Sequence, residues 1–256
     1  MKFIILGCGS SMGVPRADGF FGNCDPNNKK NYRSRCSALI KGDKENILID
    51  TSPDLRQQLI KNKIHTISKV LYTHSHADQT HGINDLRIFF IKNKKPIDVY
   101  ADIITSKDLK KTFGYCFQSY SNEYPSTLKL NQIKNKLIFK DSNKKISIKS
   151  IKVKHGNIES LCYIINEKLA YISDVSEIYK KDFTHLKKIN YLIIDCLWYN
   201  YHPSHFNLER CLEIIKTLSP KKAILTNLSP ILDYNELKKK LPKNVTPAYD
   251  GLTINL

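Results

Sequence analysis

The chain has 256 residues, 41% of them hydrophobic and 25% charged, with a formal net charge of +17. That length and balance suit one globular layered domain over residues 1–256 and exclude a disordered chain. No apolar run approaches the ~20 residues a membrane helix needs, and the opening Met1-Lys2-Phe3-Ile4-Ile5-Leu6-Gly7 is too short for a signal-peptide core, so the expectation is a cytoplasmic protein with no membrane partner.

Short apolar strands alternate with helical stretches. Strands are expected at residues 2–6, 37–40 and 46–50. Residues 53–62 have helical spacing, with Leu55, Leu59 and Ile60 on one face and Ser52 placed as a cap before Pro53. A buried strand at 69–72 leads into a histidine-rich turn. Residues 84–91, with Leu86, Ile88, Phe89 and Phe90, read as a mostly buried helix. A strand at 97–100 and a helix at 105–112 follow. Residues 113–131 hold aromatics and turn formers without a clear period, and read either as a lid over a site or as a surface excursion.

Consecutive strands are then expected at 137–139, 145–153, 161–165 and 169–173. Further strands fall at 191–196 and 222–225, with a helix at 208–218 between them. A helix at 235–241 and a strand at 252–254 close the chain. There is no fixed-period repeat and no low-complexity linker. The pattern implies an α/β fold of two sheets flanked by helices, an αββα sandwich.

Seven cysteines, odd in number and widely spaced, form no Cys-x-x-Cys pair. They suggest neither a disulfide framework nor a thiolate zinc site, and pack as small hydrophobes. The positive charge would attract phosphate. Yet the lysines are scattered among abundant Asn and Ile, arginine is scarce, and no aromatic RNA-binding signature is present. Compositional drift therefore ranks ahead of a dedicated nucleic-acid surface.

The densest chemistry lies in Thr73-His74-Ser75-His76-Ala77-Asp78-Gln79-Thr80-His81. A His-x-His-x-Asp spacing just past a strand puts three donors on one side of an extended turn. Imidazole nitrogen and carboxylate oxygen are ligands for borderline divalent ions such as zinc. Asp50, His155, Asp174 and Asp195 also stand where strands end, and ligands at strand ends converge on one rim of an α/β sheet.

The sequence resembles the metallo-β-lactamase fold superfamily end to end. It is most similar to the branch of phosphoribosyl cyclic phosphate phosphodiesterase and, more distantly, of the transfer-RNA 3′-end nucleases. The resemblance is carried by Gly7-Cys8-Gly9-Ser10-Ser11-Met12-Gly13-Val14-Pro15, Ile49-Asp50-Thr51-Ser52-Pro53, Thr73-His74-Ser75-His76-Ala77-Asp78, the isolated His155, Ser173-Asp174 and Ala248-Tyr249-Asp250-Gly251. It implies a first metal held by His74, His76 and His155, with Asp174 bridging to a second metal that Asp78 also ligates. Asp50 matches an outer acid that holds the motif loop.

Two positions depart from the family. Imidazoles expected after Asp78 and after the strand at 222–225 are Gln79 and Asn227, amides that would ligate weakly and favour a harder ion. The second metal is then loosely held, a harder ion, or missing, with His81 as a substitute ligand if helix initiation at Gly82 does not turn it away. The cofactor expectation is one or two divalent ions, zinc or manganese.

Such an ion lowers the pKa of a bound water toward ~7 and makes hydroxide available for attack on phosphorus or on an acyl carbon. Asp78 would orient that water. By resemblance to the phosphodiesterase branch, His205 is the general acid, with His202 as second choice. Ser10, Ser11 and the glycines around them would bring backbone amides to an anion. Arg87, among few arginines, is a candidate for bidentate phosphate contact. The expected activity is hydrolysis of a small cyclic or ribose phosphodiester. The alternatives are a transfer-RNA-type nuclease, or a relic that keeps the fold without turnover. The expected partner is a small phosphorylated substrate; nucleic acid is not favoured, and a homodimer is compatible with the sequence.

Overall fold

A computed structural model describes residues 1–121 and 123–256. The strands are β1 (Lys2–Gly7), β2 (Ser37–Lys41), β3 (Asn46–Ile49), β4 (Lys69–Leu71), β5 (Ile97–Ala101), β6 (Leu128–Gln132), β7 (Lys136–Asp141), β8 (Lys144–His155), β9 (Ile158–Ile165), β10 (Leu169–Ile172), β11 (Tyr191–Asp195), β12 (Lys222–Thr226), β13 (Val245–Pro247) and β14 (Thr253–Asn255). The α-helices are α1 (Leu55–Lys61), α2 (Ala77–Thr80), α3 (Arg87–Asn93), α4 (Ile103–Phe117), α5 (Phe183–Leu186), α6 (Leu208–Leu218) and α7 (Tyr234–Lys240).

Two seven-stranded sheets result, ordered β14-β1-β2-β3-β4-β5-β6 and β13-β12-β11-β10-β9-β8-β7. In each sheet one part is antiparallel and the other parallel, the parallel parts being β3 to β6 and β10 to β13. Alternation sorts the side chains. Phe3 and Ile5 of β1 enter the core between the sheets, while Ile4 and Leu6 pack under the helices of the first sheet. The run Leu192-Ile193-Ile194 is buried on both faces, as a parallel strand covered on both sides must be.

Helix α6 shows why its boundaries were legible. Cys211, Ile214, Ile215 and Leu218 are buried at helical spacing, and Asn207 caps the start by accepting from Arg210 N at 3.0 Å. Each such aliphatic side chain contributes ~1.5–3 kcal/mol on burial. Ser219 ends the helix in the left-handed region at φ 49°.

Several local expectations are corrected. Helix α1 begins at Leu55, and Ser52 Oγ instead accepts from Asp54 N in a short turn at 3.2 Å. Ile60 points outward at 60% exposure. The stretch expected as one helix at 84–91 is a 3-10 turn over Ile83–Leu86 followed by α3, and only Leu86 and Phe89 of the named residues are buried. Ile88 is exposed because a short helix against one sheet covers only one narrow face. The stretch 113–131 contains the end of α4 and most of strand β6, which pairs with β5 at the sheet edge. None of its described residues lines the cavity that holds the histidines, so the lid reading fails.

Candidate metal centre

The site forms where strands end. Asp50 follows β3, and Thr73 and His74 follow β4. His155 ends β8, Asp174 follows β10, Asp195 ends β11 and Asn227 follows β12. The parallel register of β10, β11 and β12 aligns three of those ends on one rim. His155, Asp174 and Asn227 line a cavity of about 960 Å³ together with Ser10, Ser11, His76, Asp78, His202 and His205.

His74, His76 and His155 bring one donor atom each within 4.8 Å of one another. His76 Nδ1 and His155 Nε2 lie 3.3 Å apart. His74 is 2% exposed and its Nε2 has no hydrogen-bond partner. A buried polar atom left without a partner is costly unless an ion fills the gap. Asp174 Oδ2 is unpartnered in the same way. This donor set, orphaned and convergent, fits a divalent cation.

Outer contacts fix the histidine tautomers. Asp50, fully buried at φ 61°, accepts from Thr73 N at 2.8 Å and from Thr73 Oγ1 at 2.9 Å. Having donated its proton, that hydroxyl offers only a lone pair to His74 Nδ1, 3.0 Å away. His74 therefore carries its proton on Nδ1 and presents a bare Nε2 to the site. Similarly, His155 Nδ1 donates to the Ser204 carbonyl at 2.7 Å, leaving Nε2 free. Burial pushes His74 down to about 3, so it is neutral and able to ligate.

The carboxylates face one another. Burial, and then the Asp174 charge, raise Asp78 to about 6. Burial pushes Asp174 up as well, but His74, His205 and His155 outweigh it and hold its carboxyl below the ordinary value. The two amides were expected as weak ligands; their NH₂ groups face the carboxylates, while Gln79 Oε1, the atom that could ligate, is buried without a partner. Gln79 Nε2 donates to Asp78 Oδ2 at 3.0 Å, and Asn227 Nδ2 donates to Asp174 Oδ1 at 3.3 Å. As donors they hold the carboxylates and offer no lone pair in that contact.

Behind these groups stands a carboxylate–imidazole pair. His205 Nδ1 donates to Asp195 Oδ2 at 2.7 Å, and Asp195 is fully buried. Burial raises Asp195 to about 6. Burial alone would lower His205, but Asp195, Asp174 and Asp78 together lift it to about 9. His205 is thus charged near neutrality and turns Nε2 away from Asp195. Donor atoms of His155, Asp174 and His205 also lie within 4.8 Å of one another. His202 lies beside it, ring centroids 5.2 Å apart, and burial followed by the His205 charge pushes it down.

Two expected residues lie elsewhere. His81 caps the short α2, contacts Thr80 Oγ1 at 3.2 Å and packs edge-on to Phe113, so it joins neither donor group. Arg87 opens α3, is exposed and does not line the cavity. Ser10 and Ser11 do line it, and three amides of this loop are committed: Gly9 N donates to Ser34 O, Ser10 N to Leu228 O and Gly13 N to Ser10 O. Gly9 serves close packing instead, since a Cβ there would meet Arg33 O at 2.7 Å.

The model of the β-lactamase superfamily domain matches residues 45–226, which hold all three imidazoles, Asp78 and Asp174. The chain belongs to the metallo-β-lactamase superfamily. A solved diphosphatase of the PhnP family is 27% identical at a TM-score of 0.87, covering 100% of this chain and 97% of that one. This likeness agrees with the phosphodiesterase branch expected above. Zinc-bound PqqB from Methylobacterium extorquens (18%, TM-score 0.77, 100% of both chains) and human tRNase Z, short form (17%, TM-score 0.70, 100% and 99%), share the superfamily fold. A curated relative, an octanoyltransferase of Porphyromonas gingivalis (strain ATCC BAA-308 / W83), is 32% identical over 259 residues. The match takes in 98% of this chain and 51% of that protein, so the chain spans about half the length of this superfamily relative.

Asp195 and His205 were each visible in the sequence, yet their pairing was not. Ser204, Trp198 and Tyr201 were missed. Ser204 holds His155 through a backbone carbonyl, which no residue type signals.

Proposed function

We propose that this chain is a metal-dependent phosphodiesterase acting on a small cyclic or ribose phosphodiester. The observation that carries the reading is the His205–Asp195 pair, 2.7 Å, set beside the cluster of His74, His76 and His155. Such a pair supports a proton donor beside the cation site in one cavity, as hydrolysis of an alkyl phosphodiester requires.

His74, His76, His155 and Asp174 would hold the ion, with Asp78 beside Asp174. A divalent ion bound there supplies an acidified water and charge neutralisation at a phosphoryl oxygen. Asp78 orients the water and accepts its proton as the new P–O bond forms. His205 Nε2 gives its proton to the oxygen that leaves as the old P–O bond breaks. Asp195 keeps the His205 ring turned into the cavity and compensates its charge until the proton is given up. His202 remains neutral beside it.

Acyl transfer, suggested by the name of the longer relative, finds less support. All seven cysteines are buried, and none lines the cavity among the described residues. The thiols of Cys8 and Cys36 are pushed up by burial, away from the nucleophilic thiolate.

The test is turnover of a panel of cyclic and ribose phosphodiesters by chain loaded with zinc or with manganese. Metal-dependent hydrolysis is expected. Stoichiometric metal with no turnover on any diester would favour the relic.

A further inference from the structure

The cavity is larger than a phosphodiester linkage needs. About 960 Å³ lies near the upper end of the range for sites that enclose whole organic ligands. Its wall includes two solvent-facing aromatic rings on the loop between β11 and α6. Trp198, the one tryptophan of the chain, is 39% exposed, and Tyr201 is 84% exposed. Large aromatics held in water at a cavity rim are unspent binding surface.

The loop that carries Trp198 is tied down at both ends. Leu197 N donates to Phe206 O at 3.0 Å, and Leu208 N donates to Trp198 O at 2.9 Å. His202 and His205 lie on the same loop, so the rings and the proton donor share one segment. The cations at this rim are already engaged. Arg210 pairs with Glu213 at 2.7 Å, and Lys154 faces Glu177 at 3.8 Å. Recognition here therefore falls to planar stacking and not to a further charge. Every nucleobase offers a π-face for such stacking.

We propose that Trp198 and Tyr201 form a stacking subsite for the nucleobase of a nucleoside-containing phosphodiester. This narrows the substrate class of the reaction proposed above and rests on that reading. An acyl chain would instead seek an enclosed apolar tunnel; this cavity sets Ser, His, Asp and Asn side chains among its apolar ones, Met12, Ile158 and Leu197.

The single indole reports the test directly. The full chain is titrated with adenosine 5′-monophosphate, ribose 5-phosphate and octanoate while Trp198 emission is followed. Saturable quenching by the nucleotide, and not by the other two, is expected. Equal responses to nucleotide and ribose phosphate, or a response to octanoate alone, would overturn the subsite. Tyr201→Ala, at an exposed position that folding does not need, keeps the reporter. It should weaken nucleotide binding about tenfold, the ratio expected from one lost stacking contact. Unchanged nucleotide affinity in both Tyr201→Ala and Trp198→Ala, the latter read by calorimetry, would also overturn it. In kinetics, Trp198→Ala should raise KM for a nucleoside diester over KM for a ribose-only diester by a similar ratio, with Trp198→Phe restoring it. Because quenching needs no turnover, the two ideas fail separately. Nucleotide-specific quenching without hydrolysis would refute the reaction and support the subsite. Hydrolysis without nucleoside preference would refute the subsite alone.

Discussion

At the residue scale, the site depends on donors whose tautomers are set by neighbours. His76→Ala should abolish tight metal binding, read as metal content after dialysis, and with it activity; full metal content in that variant would remove the basis of the ligand set. The amides set a second test. Gln79→His with Asn227→His should raise occupancy of a second ion, measured by titration, because imidazoles replace NH₂ donors that ligate nothing. Position 227, at φ 59°, tolerates His better than most residues. Asp195→Asn should cost about 10²-fold in kcat on diesters with alkoxide leaving groups and far less on nitrophenyl esters, whose leaving oxygen needs no proton. Equal losses on both would make Asp195 a structural acid only. The motif His74, His76, Asp78 was legible because its members lie within five residues. His205 with Asp195 was legible only as two separate candidates, since a ten-residue separation across a loop does not reveal a 2.7 Å contact.

At the element scale, one carboxylate joins the two sheets. Asp141 ends β7 in the second sheet and accepts from the backbone amides of Asp43, Lys44 and Glu45, in the β2–β3 turn of the first, at 2.9, 2.7 and 3.1 Å. Burial would push this carboxyl up, but the three amides and Lys144 outweigh it and hold it below the usual range. A group lowered on folding stabilises above its unfolded pKa, and that contribution fades as pH falls through the folded one. Asp141→Asn should therefore cost about 1–3 kcal/mol near pH 7, read from urea midpoints, and the difference from wild type should shrink below pH ~4. The turn itself was not expected to be bridged. Gly42 is required there, since a Cβ would meet Asp141 Oδ2 at 2.4 Å.

At the scale of the whole molecule, the charge of +17 is a field and not a site. Several lysines are paired locally, as Lys69 is with Glu45 at 2.7 Å and Lys152 with Glu159 at 2.5 Å. RNA binding by such a field should fall by orders of magnitude between 50 and 200 mM salt. Turnover of a small diester should change far less, because it depends on groups inside the cavity. Parallel collapse of both with salt would point to a nucleic-acid substrate and away from a small one. Among the described residues no helix is long and apolar enough to cross a membrane.

Most strands and helices, the layered class and the central histidine motif were legible along the chain, because these are local: side-chain period, caps and spacing within a few residues. The sequence left out β6, whose burial does not alternate, and β13, α2 and α5, which are only three or four residues long. Which isolated acids and imidazoles meet depends on how the strands are ordered in space. His76 and His155 are 79 residues apart in the chain and 3.3 Å apart in space. Periodicity tells a side chain whether it faces inward, but strand order and register decide what it faces. The same registers turned His81 and Arg87 away, gave the two amides to the carboxylates as donors, and set Trp198 at the mouth of the cavity.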